Sequence, residues 1–334
     1  MNYKQSKILL LFSVLTLVSC NFSQSVVAKP SQHQDLQTTP SVLPTQSNTS
    51  NSATFLTYKI EIYDSHVMGV IRTYGVSLPP GYEQNPKQSY PVIFLLHGGH
   101  GNPTDWFIQN KGQALKTVEQ LYTTGKLPPS IIITPDGNDK RGSSPYRDPE
   151  YIDGPNGKIS TAVGDELVKV VQSRYRTLNN PDFWAIGGLS SGGWGAVNVG
   201  LHNLDHFSIL FSHSGYFQDK SGPINSPITY IKTIPLQAQK RLRIYLDSGK
   251  SDTEEIDEAK RFTEVLNKLK IYNLFRQFPG SHTWQYWRKH LANSLTFVGE
   301  QFRVAEIAHK TDKLGINQKK ILKITRNNTN LQNW

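Results

Sequence analysis

From Val92 onward, short apolar runs alternate with longer stretches of helical spacing, and this alternation limits the fold more than any other feature of the chain. The apolar runs cover residues 92–96, 131–133, 183–187, 209–211, 244–246 and 274–278. Between them, helical patterns cover 114–122, 162–175 (with Val163, Leu167, Val170 and Val171 in phase), 191–203, 254–269 and 284–302. Runs so short and so apolar are strands buried on both faces, which is the condition of a parallel sheet covered by helices. Ahead of them, residues 55–63 and 70–78 alternate as antiparallel strands, and Pro79-Pro80-Gly81 ends the second with a turn. The expected fold class is therefore α/β: a mostly parallel central sheet with helices on both faces and antiparallel N-terminal strands.

The two ends follow other rules. Lys4 and Lys7 precede an apolar stretch over 8–18, which is the length of a signal peptide and short for a membrane span. It closes with Leu17-Val18-Ser19-Cys20, a lipobox-like sequence containing the only cysteine of the chain. Residues 1–19 are thus expected to be a lipoprotein signal peptide, with Cys20 lipidated and the protein exported to the cell envelope, at the periplasmic or outer surface. Residues 20–54, rich in Ser, Thr, Gln and Pro, lack periodic apolar positions and read as a flexible tether. Residues 303–334 hold seven basic and two acidic residues and read as a basic tail, in which Ile316, Ile321, Leu322 and Ile324 suit a short amphipathic helix.

This division explains the charge. The chain of 334 residues has a formal net charge of +10, a value that could indicate nucleic acid or a membrane surface as partner. The signal segment and the tail hold most of it, leaving +3 on residues 55–302. That domain gives no case for nucleic acid. A single cysteine excludes an internal disulfide, and the mean hydropathy of −0.46 excludes a polytopic membrane protein.

One motif carries chemistry. Gly188-Leu189-Ser190-Ser191-Gly192 is a G-x-S-x-G sequence between an apolar strand and a helix, the context of a nucleophile elbow. There Ser190 would stand above the strand ends, and the first N–H groups of the helix, beginning with Ser191, would face an oxyanion. The sequence His97-Gly98-Gly99-His100-Gly101 after strand 92–96 places flexible backbone where a second oxyanion donor is needed, from Gly99 or His100, with His97 holding the turn. His282, after the last strand, is the expected base. His290 reads as a helix-surface residue. An acid between serine and histidine falls at Asp247 or Asp252, and position alone leaves the two nearly even. Ser251-Asp252-Thr253-Glu254 also reads as a capping box opening the next helix. Residues 137–158 (full of Gly, Pro and charge) form a long aperiodic loop suited to binding. Trp106, Trp194 and Trp284 flank the site segments and could line a substrate pocket or simply pack.

Residues 55–302 as a whole resemble the branch of the α/β-hydrolases that contains esterase D, the feruloyl esterases and the mycolyltransferases. The resemblance rests on Leu78-Pro79-Pro80-Gly81-Tyr82, His97-Gly98-Gly99 with Trp106 nearby, Arg174-Tyr175-Arg176-Thr177, the segment 188–192, and Gly280-Ser281-His282-Thr283-Trp284. It implies the α/β-hydrolase fold. The family's acid usually lies in a G-x-x-D after the penultimate strand, matching Gly249-Lys250-Ser251-Asp252, which implies Asp252 as acid with Asp247 as runner-up. It further implies a serine carboxylesterase working through an acyl-enzyme, with no cofactor and no metal, on a small-molecule or carbohydrate-linked ester. Acyl transfer with the same residues, and a catalytically silent surface binding module, are the alternatives. Other motifs fail on inspection: Ile244 occupies the first glycine of a would-be Walker A, Thr104 the last of a G-x-G-x-x-G, and no H-E-x-x-H occurs.

Overall fold

The structure, a computed structural model, describes residues 56–144 and 146–313. The signal segment, Cys20, the tether over 20–54, the first residue of the domain expected over 55–302 and the apolar set from Ile316 to Ile324 lie outside the described residues. Eight strands form one sheet: β1 (Lys59–Ser65), β2 (Val70–Ser77), β3 (Val92–Leu96), β4 (Ile131–Pro135), β5 (Trp184–Leu189), β6 (Ile209–His213), β7 (Arg243–Gly249) and β8 (Tyr272–Phe278). Their spatial order is β1-β2-β4-β3-β5-β6-β7-β8. Pairing is antiparallel between β1 and β2 and between β2 and β4, and parallel throughout the rest. The chain thus leaves β3 for β4 on one side and returns to β5 on the other. Such a reversal opens a crevice at the carboxyl ends of the strands, where ligands bind in open α/β sheets.

Five helices cover the sheet: α1 (Ala114–Thr123), α2 (Leu167–Arg174), α3 (Ser191–His202), α4 (Thr253–Lys268) and α5 (Trp284–Lys313). The period of two in β3 separates two cores. Val92, Phe94 and Leu96 pack with Val171 of α2, Val197 of α3 and Phe262 of α4, whereas Ile93 and Leu95 pack with Val118 of α1 and Leu295 of α5. A strand that is apolar at every position is therefore required, because each face has its own helical layer. This is the α/β-hydrolase architecture expected from the resemblance.

Several element ends differ from the sequence reading by a few residues, as at β1 (59–65 against 55–63), and two differences bear on the helical layers. The helix expected over 162–175 begins at Ile159 and widens into a π-helical turn over Ala162–Glu166 before α2. The larger correction is at α5, which runs past residue 302 to Lys313. Phe302 and Ala305 are buried, and Arg303 donates to the carbonyls of Gly125 and Lys126 at 3.0 and 3.2 Å. His309 packs at a tilt against Phe183, with ring centroids 5.5 Å apart, and lies 3.6 Å from Asp182. The first part of the supposed basic tail is thus the last turns of a packed helix. Beyond Phe302 the larger apolar residues Val304 and Ile307 face solvent while the small Ala305 is buried, so the sequence there shows no core stripe.

Candidate active site

Ser190 sits between the end of β5 and the start of α3 with φ 54° and ψ −128°. Positive φ in a non-glycine residue is strained and persists only where neighbours hold it. Here the Ser190 N–H donates to the carbonyl of His213 at 2.9 Å, while its own carbonyl accepts from Gly193 and Trp194 at 2.8 and 3.1 Å. The glycines of the motif are needed for close approach. A Cβ on Gly188 would lie 2.4 Å from the carbonyl oxygen of Gly192, and one on Gly192 would lie 2.2 Å from that of His97.

The structure brings Ser190, His282 and Asp252 together. Nε2 of His282 lies 2.8 Å from Ser190 Oγ, and Nδ1 lies 2.9 and 3.1 Å from the two oxygens of Asp252. A carboxylate facing Nδ1 holds the proton there and leaves Nε2 free to accept from the serine hydroxyl. The edge of Trp287 packs against the imidazole at 4.9 Å, and its indole N–H donates to Ser214 Oγ at 3.2 Å. Burial tends to raise the Asp252 carboxyl, but hydrogen bonds with His282, Glu255 and Ser214 outweigh it and hold the group below the usual carboxylate range. Burial likewise tends to lower His282, but the bond and charge of Asp252, with the charges of Glu255 and Asp148, raise it above its ordinary value.

Asp252 is the N-cap residue of α4, one position later than the Ser251 cap of the sequence reading, yet its side chain makes no capping bond. The carboxylate turns to the imidazole instead. Glu255, one turn on, also points to this group: its Oε1 is 4.0 Å from His282 Nδ1, and its carboxyl neighbours that of Asp252. The nitrogen and oxygen ligand atoms of Asp252, Glu255 and His282 lie within 4.8 Å of one another.

Asp247, the runner-up acid, is elsewhere. It is 1 % exposed, and its carboxylate accepts from His213 Nδ1 at 2.9 Å, Tyr286 OH at 3.0 Å and Tyr245 OH at 2.9 Å. His213 in turn lies 2.9 Å from Ser294 Oγ through Nε2. Asp247 therefore belongs to a second, buried Ser-His-Asp set, and its position at the end of β7 does not bring it to His282.

Of the residues expected to face an oxyanion, Ser191 is the first residue of α3, so its backbone N–H has no partner within the helix. The opposing turn carries Gly99 and His100, the latter at φ 58°. His97 is buried beneath it: its Nε2 accepts from the Gly137 N–H at 2.9 Å, which leaves Nδ1 to donate to the Gly98 carbonyl at 2.9 Å. The loop over 137–158 folds onto the same turn. Tyr151 OH donates to the His97 carbonyl at 2.7 Å, His100 Nδ1 bonds the Ser144 carbonyl, and a Cβ on Gly99 would meet Asp148 Oδ1 at 2.1 Å.

The three tryptophans separate. Trp106 and Trp194 are fully buried, with indole N–H groups donating at 2.9 Å to the carbonyls of Leu96 and Asn225, so both are packing residues and not pocket walls. Trp284 is partly exposed and stands edge-on to Trp106 and Trp287. His290 corrects another expectation: it is buried, stacked on Phe278 at 4.2 Å, and burial lowers it. Sequence reasoning missed Glu255, Ser214 and Trp287. Only Glu255 left a signal, the spacing of three from Asp252 at the start of a helix.

Fold and site together define an α/β-hydrolase with a serine-histidine-carboxylate arrangement at the crevice. The family described as "Putative esterase" matches residues 65–298, and the chain belongs to it. A ferulic acid esterase of known structure superposes with a TM-score of 0.67 at 26% identity, over 74% of this chain and 98% of that one. The acetyl esterase of Caldicellulosiruptor saccharolyticus is 24% identical over 243 residues, covering 64% of this chain and 85% of the relative. An uncharacterized protein of Corynebacterium glutamicum is 22% identical over 244 residues, covering 67% of this chain, which spans 56% of that relative's length.

Proposed function

We propose that the chain is a serine carboxylesterase acting through an acyl-enzyme. His282 Nε2 takes the Ser190 proton as Oγ bonds to the ester carbonyl carbon, and the carbonyl electron pair moves to oxygen. That oxyanion lies against the N–H of Ser191 and of Gly99 or His100. Its collapse breaks the bond to the alkoxy oxygen, which leaves with the proton from His282. Water then repeats the sequence on the acyl-enzyme, releasing the acid and restoring Ser190. Asp252 holds the imidazole tautomer throughout. The observation that carries this reading is the unbroken line from Ser190 Oγ through His282 to Asp252, at 2.8 and 2.9 Å, ending on a residue in a strained turn.

The substrate class we propose is a small-molecule or carbohydrate-linked ester, supported by the likeness to a ferulic acid esterase and an acetyl esterase. A cleft of about 530 Å³ adjoins the site through Glu255 and is walled by Tyr216, Glu254, Asp257, Glu258 and Arg261, a polar lining suited to hydroxyl-bearing groups. Attachment to the membrane through Cys20 is part of the same proposal and rests on the sequence of residues 1–20. A fluorophosphonate probe should label Ser190 in native protein and not in Ser190→Ala, and a panel of acetyl and hydroxycinnamoyl esters should be cleaved by the first alone. A native protein that reacts with neither would remove the esterase reading. Product formed only with an added acceptor alcohol would replace hydrolysis by acyl transfer.

A further inference from the structure

Glu255 is the ionisable group nearest the reacting residues that the mechanism above does not use. It occupies the third position of α4, one turn from Asp252, which makes the two a D-x-x-E pair at a helix start. In a capping box these residues would bind backbone N–H groups. The side chain of Asp252 makes no capping bond, and the backbone N–H of Asp252, which the glutamate of a capping box would take, donates to the Gly249 carbonyl at 3.0 Å. Both side chains converge on the imidazole.

We propose that Glu255 is a positioning residue, whose carboxylic acid donates a hydrogen bond to Asp252 so that the triad acid is clamped between two donors, and whose ionisation places a second negative charge beside His282. The proposal rests on the Ser190–His282–Asp252 reading. Two carboxyl groups whose oxygens lie within 4.8 Å do not both ionise without cost, so one proton is shared by the pair. Asp252 already accepts from His282 and interacts with Ser214, which leaves the proton on Glu255. Burial, and the bond to Asp252, push Glu255 up to about 7. Around that pH the donor to Asp252 is lost and a carboxylate appears 4.0 Å from His282 Nδ1.

The groups facing this pair come from several elements. Glu254, Asp257, Glu258 and Arg261 lie on α4 itself, and Arg261 is paired with Glu258. Tyr216 and Ser214 follow β6, His282 follows β8, and Asp148 comes from the loop over 137–158. Apart from Arg261, which is engaged, none of these supplies a fixed positive charge to Glu255. Its carboxylate, once formed, therefore acts mainly on the imidazole, favouring the imidazolium.

Glu255→Gln keeps a donor to Asp252 and removes the charge. Its expected result is an acid limb of kcat/KM moved to lower pH by about half a unit, with a plateau reduced less than about tenfold. Glu255→Leu removes donor and charge, so the limb should move equally while kcat falls further, and thermal melting separates this from misfolding. A Glu255→Gln limb that coincides with that of native protein would overturn the proposal. The imidazole titration of His282, read by NMR and assigned with His282→Gln, tests the same shift without turnover. If the fluorophosphonate fails to label Ser190, the catalytic reading falls. An unchanged His282 titration in a protein that does label sinks the role of Glu255 alone.

Discussion

Among the described residues, two Ser-His-Asp sets have nearly the same internal distances. In one, His282 joins Ser190 and Asp252 at 2.8 and 2.9 Å; in the other, His213 joins Ser294 and Asp247 at 2.9 Å each. The sets differ in what surrounds them. His282 is about one-third exposed, whereas His213, Asp247 and Ser294 are sealed in the core. Ser190 sits in a strained turn beside the backbone N–H groups proposed to hold an oxyanion, while Ser294 lies inside a regular helix and donates to the Leu291 carbonyl. Residue types and hydrogen-bond lengths therefore do not make a nucleophile. Access, backbone geometry and a place for developing charge do. The buried set has structural work instead: it ties β6 and β7 to α5, and the backbone carbonyl of His213 anchors the N–H of Ser190.

Substitutions in the two sets should separate these roles. Ser190→Ala is expected to have the largest effect, a loss of about 10⁶-fold in kcat on a nitrophenyl ester with unchanged melting temperature. Asp252→Asn should follow at about 10⁴-fold, because the amide favours the wrong imidazole tautomer. If Asp247→Asn caused the larger loss of turnover in protein of native stability, the roles of the two sets would be exchanged. Asp247→Ala removes one partner of a buried pair and is expected to cost about 3–5 kcal/mol of stability, read as a lower denaturant midpoint. Ser294→Ala should be the mildest, costing about 1–2 kcal/mol for the hydrogen bond lost at His213 and leaving turnover per folded molecule unchanged. A Ser294→Ala protein that is stable but inactive would break the distinction drawn between the sets.

Much of this was legible along the chain, and what was not shares one cause. The apolar run 92–96 announced a strand buried on both faces, and observed β3 has those limits because flanking Pro91 and the Gly-rich 98–101 stop it. The G-x-S-x-G motif was legible because its residue types and spacing are contiguous between a strand and a helix, although the contact that requires glycine at Gly192 is with His97, far off in the chain. Position alone left Asp252 and Asp247 nearly even, since both end or follow the same strand, and only the G-x-x-D resemblance at residues 249–252 favoured Asp252 in that choice. It depends on which side of β7 meets the chain returning from β8. The burial of His290 and Trp106 was equally hidden: the helix pattern marks a face, but α5 and the segment at Trp106 pack on neighbours distant in sequence.

The sequence by itself determined the layer architecture, the elbow and the pairing of a serine with a downstream histidine, because these follow from local sterics, side-chain period and chain order. Tertiary structure alone decided which tryptophans are core, that α5 continues to Lys313 and that Glu255 joins the site, and it set Asp252, the acid the resemblance favoured, against His282. Each of those is a contact between segments far apart in the chain. The free energy of such a contact lies in burial and hydrogen bonding that exist only once the sheet has assembled.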